Sequence, residues 1–306
     1  MLQNKKAVYL ISGFLGSGKT SLLKQLIQLH KEDHLTPAIL MNEIGRISID
    51  SNEVDDDLPL AELLDGCICC TIQDKLESQL QELLFNETFD SILIETTGAA
   101  HPVQVIDAVM SPLFASEFEF KGIITVVDAL QWTKKGEYSP QVLQLMREQI
   151  KHASLILLNK TDLVSEMNQG MIVNELQSIN SKSKLILTSH SKISKQALKH
   201  MMPVPFEQVT KVRVKEELSL QAMVHTFIGK INRNDFEDWI QSIEGTVYRM
   251  KGYVPFSGEK YPMLFHYSYG MPVFFPEDMT MPKNLVIIGE GINQPKILEQ
   301  LRNLEK

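Results

Sequence analysis

Eight residues near the start, "GFLGSGKT" (Gly13 to Thr20), fit the pattern G-x-x-x-x-G-K-[ST]. Gly13, Gly16 and Gly18 would let successive backbone N–H groups converge on phosphate oxygens. Lys19 would reach the terminal phosphates, and Thr20 would offer a hydroxyl to Mg²⁺. Ser17 and Ser21 complete the stretch that would line the phosphates, and the following helix adds its positive end. The alternative is a glycine-rich turn that binds nothing. An apolar strand before the stretch and a periodic helix after it argue against that.

Two later stretches bear on which nucleotide would bind. "LLNKTD" ends a strand with Asn159, Lys160 and Asp162, the guanine-reading motif of many GTPases. An Asp162 carboxylate accepts from guanine N1–H and its exocyclic amine. Adenine offers neither donor there, so ATP would leave a charged acceptor unpaired. The bland reading of Asp162 is a helix cap. "LTSH" then supplies a further base-side loop through Ser189. "SILIETTG" resembles a Walker B strand with its switch glycine: Glu95 would bind Mg²⁺ through water or orient the attacking water, with Gly98 three residues on.

All three cysteines of the chain fall in "GCICC", at Cys67, Cys69 and Cys70. Thiolates suit Zn²⁺ and similar ions, and three supply most of a tetrahedral shell. An open fourth position suits delivery. A closed structural site would want a fourth ligand nearby, and no histidine lies in the cluster. A structural zinc site and bare buried thiols stay open as alternatives.

These groups need a frame. The chain has 306 residues, which suggests two domains at about 150 residues each. Hydrophobic residues make up 43%, enough for a core without staples. The net charge of -8 excludes broad nucleic-acid binding, which needs a basic face. No apolar run approaches the roughly 18 residues of a membrane span, and no leader peptide is apparent. The expected address is cytoplasmic, where clustered cysteines point to metal or redox chemistry.

Short apolar runs at 7–12, 37–42, 91–96, 122–128, 154–160 and 184–189 read as buried strands. Between them "TSLLKQLIQLH" and "DKLESQLQELL" carry leucines at helical spacing. The expectation is an α/β P-loop NTPase fold, a mainly parallel sheet with helices on both faces, over residues 1–205. Pro203 and Pro205 mark a linker. Residues 206–306 read as a smaller α+β domain. Its strands are "KVRVKEELSL", "AMVHTFIG", "TVYRMKGYV", "MLFHYSY" and "NLVIIG". Its helices are "NDFEDWIQSIEG", with Phe236, Trp239, Ile240 and Ile243 as apolar stripe and Gly245 as stop, and "QPKILEQLRNLEK".

The order P-loop, "MNEIGRISID", "GCICC", "ETTG", "NKTD" resembles the CobW-like P-loop GTPases, relatives of the urease- and hydrogenase-maturation GTPases. "YRMKGYV" extends the likeness to that family's C-terminal domain. The resemblance implies a GTP hydrolase that uses Mg²⁺, binds Zn²⁺ or Co²⁺ at Cys67, Cys69 and Cys70, and passes metal to a client metalloprotein. Lys19, Glu95 and Glu43 would be catalytic, and a homo-oligomer stays open. Family members often carry acids beside the switch Asn and Gly; here Met41 and Arg46 stand there, and only Glu43 is acidic. His101, His225 and His266 read as structural. Two rivals remain: a GTP switch with structural zinc, and a small-molecule kinase on the same loop.

Overall fold

The computed structural model describes residues 5–41, 60–62, 72–96, 98, 102–113, 115–199, 201, 220–268 and 270–305. Cys67, Cys69, Cys70, Glu43, Arg46, His101, the 203–205 linker and the 211–219 strand lie outside the described residues. The described chain forms two compact units. One comprises 6–105 and 121–212; the other comprises 1–5, 106–120 and 213–306. The stretch 106–120 thus groups with the C-terminal residues.

The larger unit is built on a sheet of β1 (Lys6–Ser12), β2 (Pro37–Met41), β3 (Leu60–Glu62), β4 (Ser91–Glu95), β5 (Phe118–Asp128), β6 (Leu155–Asn159) and β7 (Lys184–Leu187). Their order is β3-β2-β4-β1-β5-β6-β7. Strands β3, β2, β4 and β1 pair in parallel, as do β5, β6 and β7. Its helices are α1 (Lys19–Glu32), α2 (Ile72–Asn86), α3 (Pro102–Val109, which runs into the other unit), α4 (Ala129–Thr133), α5 (Pro140–Lys151), α6 (Glu166–Ile179) and α7 (Lys195–Lys199).

Strand β6 shows why the apolar runs are continuous. Leu155 and Leu157 face a core shared with Leu22, Leu23, Leu26 and Ile27 of α1. Ile156 and Leu158 face the opposite core, with Trp132 of α4, Met146 and Ile150 of α5, and Ile172 and Leu176 of α6. Both faces are buried, so alternation disappears from the sequence. The parallel sheet covered on two faces is the expected P-loop NTPase architecture.

In the other unit, β8 (Leu220–Thr226), β9 (Thr246–Val254), β10 (Met263–Ser268), β11 (Met271–Phe275) and β12 (Asn284–Glu290) form a second sheet. Its order is β11-β10-β9-β12-β8, and the pairs are antiparallel. Helices α8 (Arg233–Ser242) and α9 (Gln294–Leu304) cover one face. Phe236 of α8 is buried at its centre, with ring centroids 5.3 Å from Trp239, 5.6 Å from Phe256 and 5.1 Å from Phe265. Helix α8 stops earlier than expected. Ile243 is already extended, with ψ 124°. Gly245, at φ 101°, lies two residues beyond and turns the chain into β9 against the Gly291 carbonyl. Among the described residues, no helix is long and apolar enough to cross a membrane.

Candidate functional site

Strand β1 ends at Ser12 and α1 begins at Lys19, with the glycine loop between them. Helix α1 starts on Gly18 with no side-chain cap and no acid in its first turn. Its first N–H groups therefore keep their positive end for a ligand. Gly18 sits at φ 110°, and a Cβ there would run into the Asn159 amide and lie 2.6 Å from Ser191 Oγ. Only glycine lets the loop pass this close.

The loop's carbonyls are tied back one by one. Lys19 Nζ donates to Phe14 O at 3.1 Å. Gln131 Nε2 donates to Leu15 O at 2.9 Å, and Lys160 Nζ to Gly16 O at 2.9 Å. Asn159 Nδ2 donates to Ser17 O at 2.9 Å, and Ser191 Oγ to Gly18 O at 2.9 Å. Five consecutive carbonyls thus have side-chain donors. Four of these donors lie outside the loop: Gln131 in α4, Asn159 and Lys160 where β6 ends, and Ser191 beyond β7. Ser17 N is itself spent on Phe14 O at 3.2 Å, and fixing the carbonyls leaves the other loop N–H groups to serve an anion.

Asn159 is 2% exposed and fully engaged. Besides Ser17 O, it bonds Ser191 Oγ at 2.9 Å and accepts from Ser191 N at 2.9 Å. It acts as a strut rather than a free reading group. Lys160, at φ 59°, opens the turn Thr161–Leu163, and Asp162 lies exposed within it. Ser189 accepts through its carbonyl from Thr188 Oγ1 at 3.2 Å and from Lys192 N. It is Ser191, two residues on, that reaches the loop.

Opposite the loop, Thr20 Oγ1 donates to Glu95 Oε1 at 2.8 Å. Glu95 Oε2 is buried with no hydrogen-bond partner. Burial pushes the Glu95 carboxyl up, while the Thr20 hydroxyl and Lys19 pull it back. Burial likewise pulls the Lys19 ammonium down, with Glu95 opposing. Both ions are therefore under-compensated as they stand. A polyanion beside Lys19 and a divalent cation beside Glu95 would repair both. A carboxylate oxygen with a neighbouring hydroxyl is the hard-oxygen donor set that Mg²⁺ takes. The orphaned Oε2 makes these residues a fit for it.

Gly98 packs against the loop: a Cβ there would lie 2.7 Å from Leu15 N. Its carbonyl accepts from Gln149 Nε2 at 3.0 Å, and Thr125 Oγ1 holds Gln149 O at 2.8 Å. Ser21, in the first turn of α1, is exposed. Among the described residues, no group of three or more His, Cys, Asp and Glu side chains could hold a metal ion.

Sequence reasoning did not single out Asp128, Gln131, Gln149 or Ser191. Asp128 had a visible signal, an acid closing the apolar run "GIITVVD". The other three lie outside any motif.

Residues 7–187 match the family described as CobW/HypB/UreG, nucleotide-binding domain, and residues 220–305 match the cobalamin synthesis protein CobW C-terminal domain. The chain is similar to the zinc chaperone YeiR of Escherichia coli, 26% identical over 247 residues, covering 80% of this chain and 73% of that protein. It is 32% identical over 197 residues to the zinc chaperone YjiA of the same organism, covering 62% and 59%. Against zinc-regulated GTPase metalloprotein activator 1 of Schizosaccharomyces pombe it is 31% identical, covering 61% of this chain and 46% of that protein. The crystal structure of Zn(II)-bound YjiA GTPase superposes with a TM-score of 0.52 at 22% identity, over 99% of this chain and 100% of that one. That likeness speaks for the fold. With the nucleotide-binding match running from residue 7 to 187, more than half its length, the chain belongs to the CobW/HypB/UreG family.

Proposed function

We propose that this chain is a GTP-hydrolysing metal chaperone. It binds GTP with Mg²⁺ on Gly13 to Ser21 and carries Zn²⁺, or Co²⁺, on Cys67, Cys69 and Cys70 to a client metalloprotein. The row of five tied carbonyls carries the nucleotide half of this reading, because it supports a phosphate cradle formed before ligand arrives. Lys19 exchanges its bond to Phe14 O for the terminal phosphates. Asp162 accepts from the guanine edge, while Asn159 and Lys160 brace the loop below it, with Ser189 closing the base side. Gly98, fixed by Gln149, offers backbone to the last phosphate. Thr20 and Glu95 would hold Mg²⁺, which when bound supplies positive charge to the phosphate oxygens as the bond to the last phosphate breaks. Glu95 or Glu43 orients the attacking water. Lys19 stays protonated once phosphate charge replaces the solvent that burial removed.

The metal half rests on the three thiols and on relatives whose names describe zinc chaperones. Nucleotide work belongs to residues 1–205. Client docking is assigned to 206–306, whose edge strand β11 exposes Met271, Val273 and Phe275. The cytoplasm, where thiols stay reduced, is the compartment that suits this chemistry.

The test is a Zn²⁺ titration against a chromophoric chelator, with Mg²⁺ and either GDP or a non-hydrolysable GTP analogue. Zn²⁺ affinity should differ between the two by about 5- to 150-fold, with GTP tightened equally by Zn²⁺. Cys69→Ser should lose Zn²⁺ while still binding GTP. Equal Zn²⁺ affinity in both states would leave a GTP switch with structural zinc.

A further inference from the structure

Asp128 closes β5 and is only 4% exposed. Its two oxygens do different work. Oδ1 accepts from Gln131 N at 3.0 Å and caps α4. Oδ2 lies 2.6 Å from Lys160 Nζ. Gln131 and Lys160 are the donors that hold Leu15 O and Gly16 O. Two adjacent carbonyls of the cradle therefore hang from one buried carboxylate. Lys160 is 35% exposed and its backbone is left-handed, a conformation that a lysine rarely adopts. A long side chain so placed takes water unless something holds it, and Asp128 is the anion that does.

We infer that Asp128 is a positioning residue that sets how long guanine nucleotide stays bound, acting through Lys160. The inference rests on the nucleotide reading above. With the carboxylate in place, Lys160 spends its charge on Asp128 and one N–H on Gly16 O, and the open loop N–H groups stay in place for phosphate. Without it, Lys160 leaves for solvent, the Gly16 carbonyl is freed, and the peptide there can turn away from phosphate. The base turn loosens with it, because Lys160 is the residue before Thr161–Leu163. Asp128 thus couples phosphate grip to base grip.

The experiment is a stopped-flow chase of a fluorescent GDP from the full chain, with Mg²⁺ present. Asp128→Asn is the informative variant: asparagine still caps α4 through its oxygen but offers Lys160 no charge. Dissociation should speed up about tenfold, and the KM for GTP should move more than kcat. Lys160→Met should do the same, and the double variant should be no faster than Lys160→Met alone, since one residue acts through the other. An unchanged off-rate in Asp128→Asn overturns the inference. So do multiplied effects in the double variant, which would mean Asp128 acts by a route other than Lys160. Asp128→Ser, another cap former, is carried through the same cycle beside circular-dichroism melts, to keep loss of fold apart from loss of grip. A parent protein that binds no GDP would instead sink the nucleotide reading.

Discussion

Helix α1 begins differently from the capped helices of both units, α4, α5 and α6 beside it included. In the C-terminal unit, α8 and α9 start under side-chain caps: Asn232 accepts from Asn234 N and Asp235 N, and Asn293 accepts from Lys296 N. Helix α1 starts with none. Buried polar groups show the same local contrast. In the C-terminal unit, His225 bonds Glu305 at 2.8 Å, and Glu305 takes the Ile228 and Gly229 N–H groups. That network closes on itself. Around α1, the donors close on carbonyls and leave N–H groups and a Glu95 oxygen unspent. A network that satisfies its own polar groups adds stability. One that ties down only the acceptors and leaves donors open is built to receive an anion. The chemistry is therefore read at the α1 end, and the C-terminal sheet is read as scaffold or docking surface.

Phe236→Ala should sharpen this contrast most. It empties the centre of an aromatic cluster and should cost about 3–5 kcal/mol of stability in melts of the C-terminal unit. GTP affinity measured well below the melting range should stay at the parent value. A matching loss of GTP affinity would break the division between scaffold and site. Asn159→Ala should show the reverse pattern. It strips Ser17 O of its donor and leaves Ser191 N unpaired inside the protein. GTP affinity should fall about 100-fold, with a smaller drop in melting temperature than Phe236→Ala causes. Parent-like affinity would mean the strut is decorative.

The pH response is smaller and touches both units. Burial lowers His30 below its ordinary value, outweighing its Leu26 carbonyl bond. Burial also lowers His225, outweighing Glu305. A histidine depressed in the folded state contributes stability that is complete above its unfolded value, about 6.5, and lost as pH falls below it. Burial pushes the Glu305 carboxyl up, but Gly229, His225 and Ile228 outweigh it and hold it below the ordinary range. Its contribution is present above that range and lost on further acidification. Melting temperature should therefore fall from pH 7 to pH 5, and His225→Asn should flatten part of the slope. A melt that rises on acidification contradicts this assignment.

Much of this was legible in the sequence, for identifiable reasons. The parallel sheet announces itself because β6, buried on both faces, is apolar from Leu155 through Leu158. The glycine loop announces itself because its backbone demands Gly at fixed spacing. Strand β11 did not, because Pro272 removes a ladder donor and reads as a break; only an edge strand tolerates it. The carbonyl ties did not either. Asp128 and Gln131 follow one another at the end of β5 and Ser191 follows β7, and no spacing rule links them to residues 14–18. Ser189 was the natural choice in "LTSH", but His190 and Ser191 both take left-handed backbone, at φ 56° and 54°, and carry the reach two residues further.

The central claim is that a guanine nucleotide occupies this cradle with Asp162 reading the base. Titration calorimetry of nucleotide-free protein tests it most directly. The parent should bind Mg²⁺–GTP at least about 100-fold more tightly than Mg²⁺–ATP, because adenine leaves the carboxylate unpaired. Asp162→Asn should lose about 2–4 kcal/mol of GTP affinity and recover part of it with xanthosine triphosphate, whose C2 oxygen accepts the new N–H. Equal binding of GTP and ATP, or an Asp162→Asn variant as tight for GTP as the parent, would contradict the account.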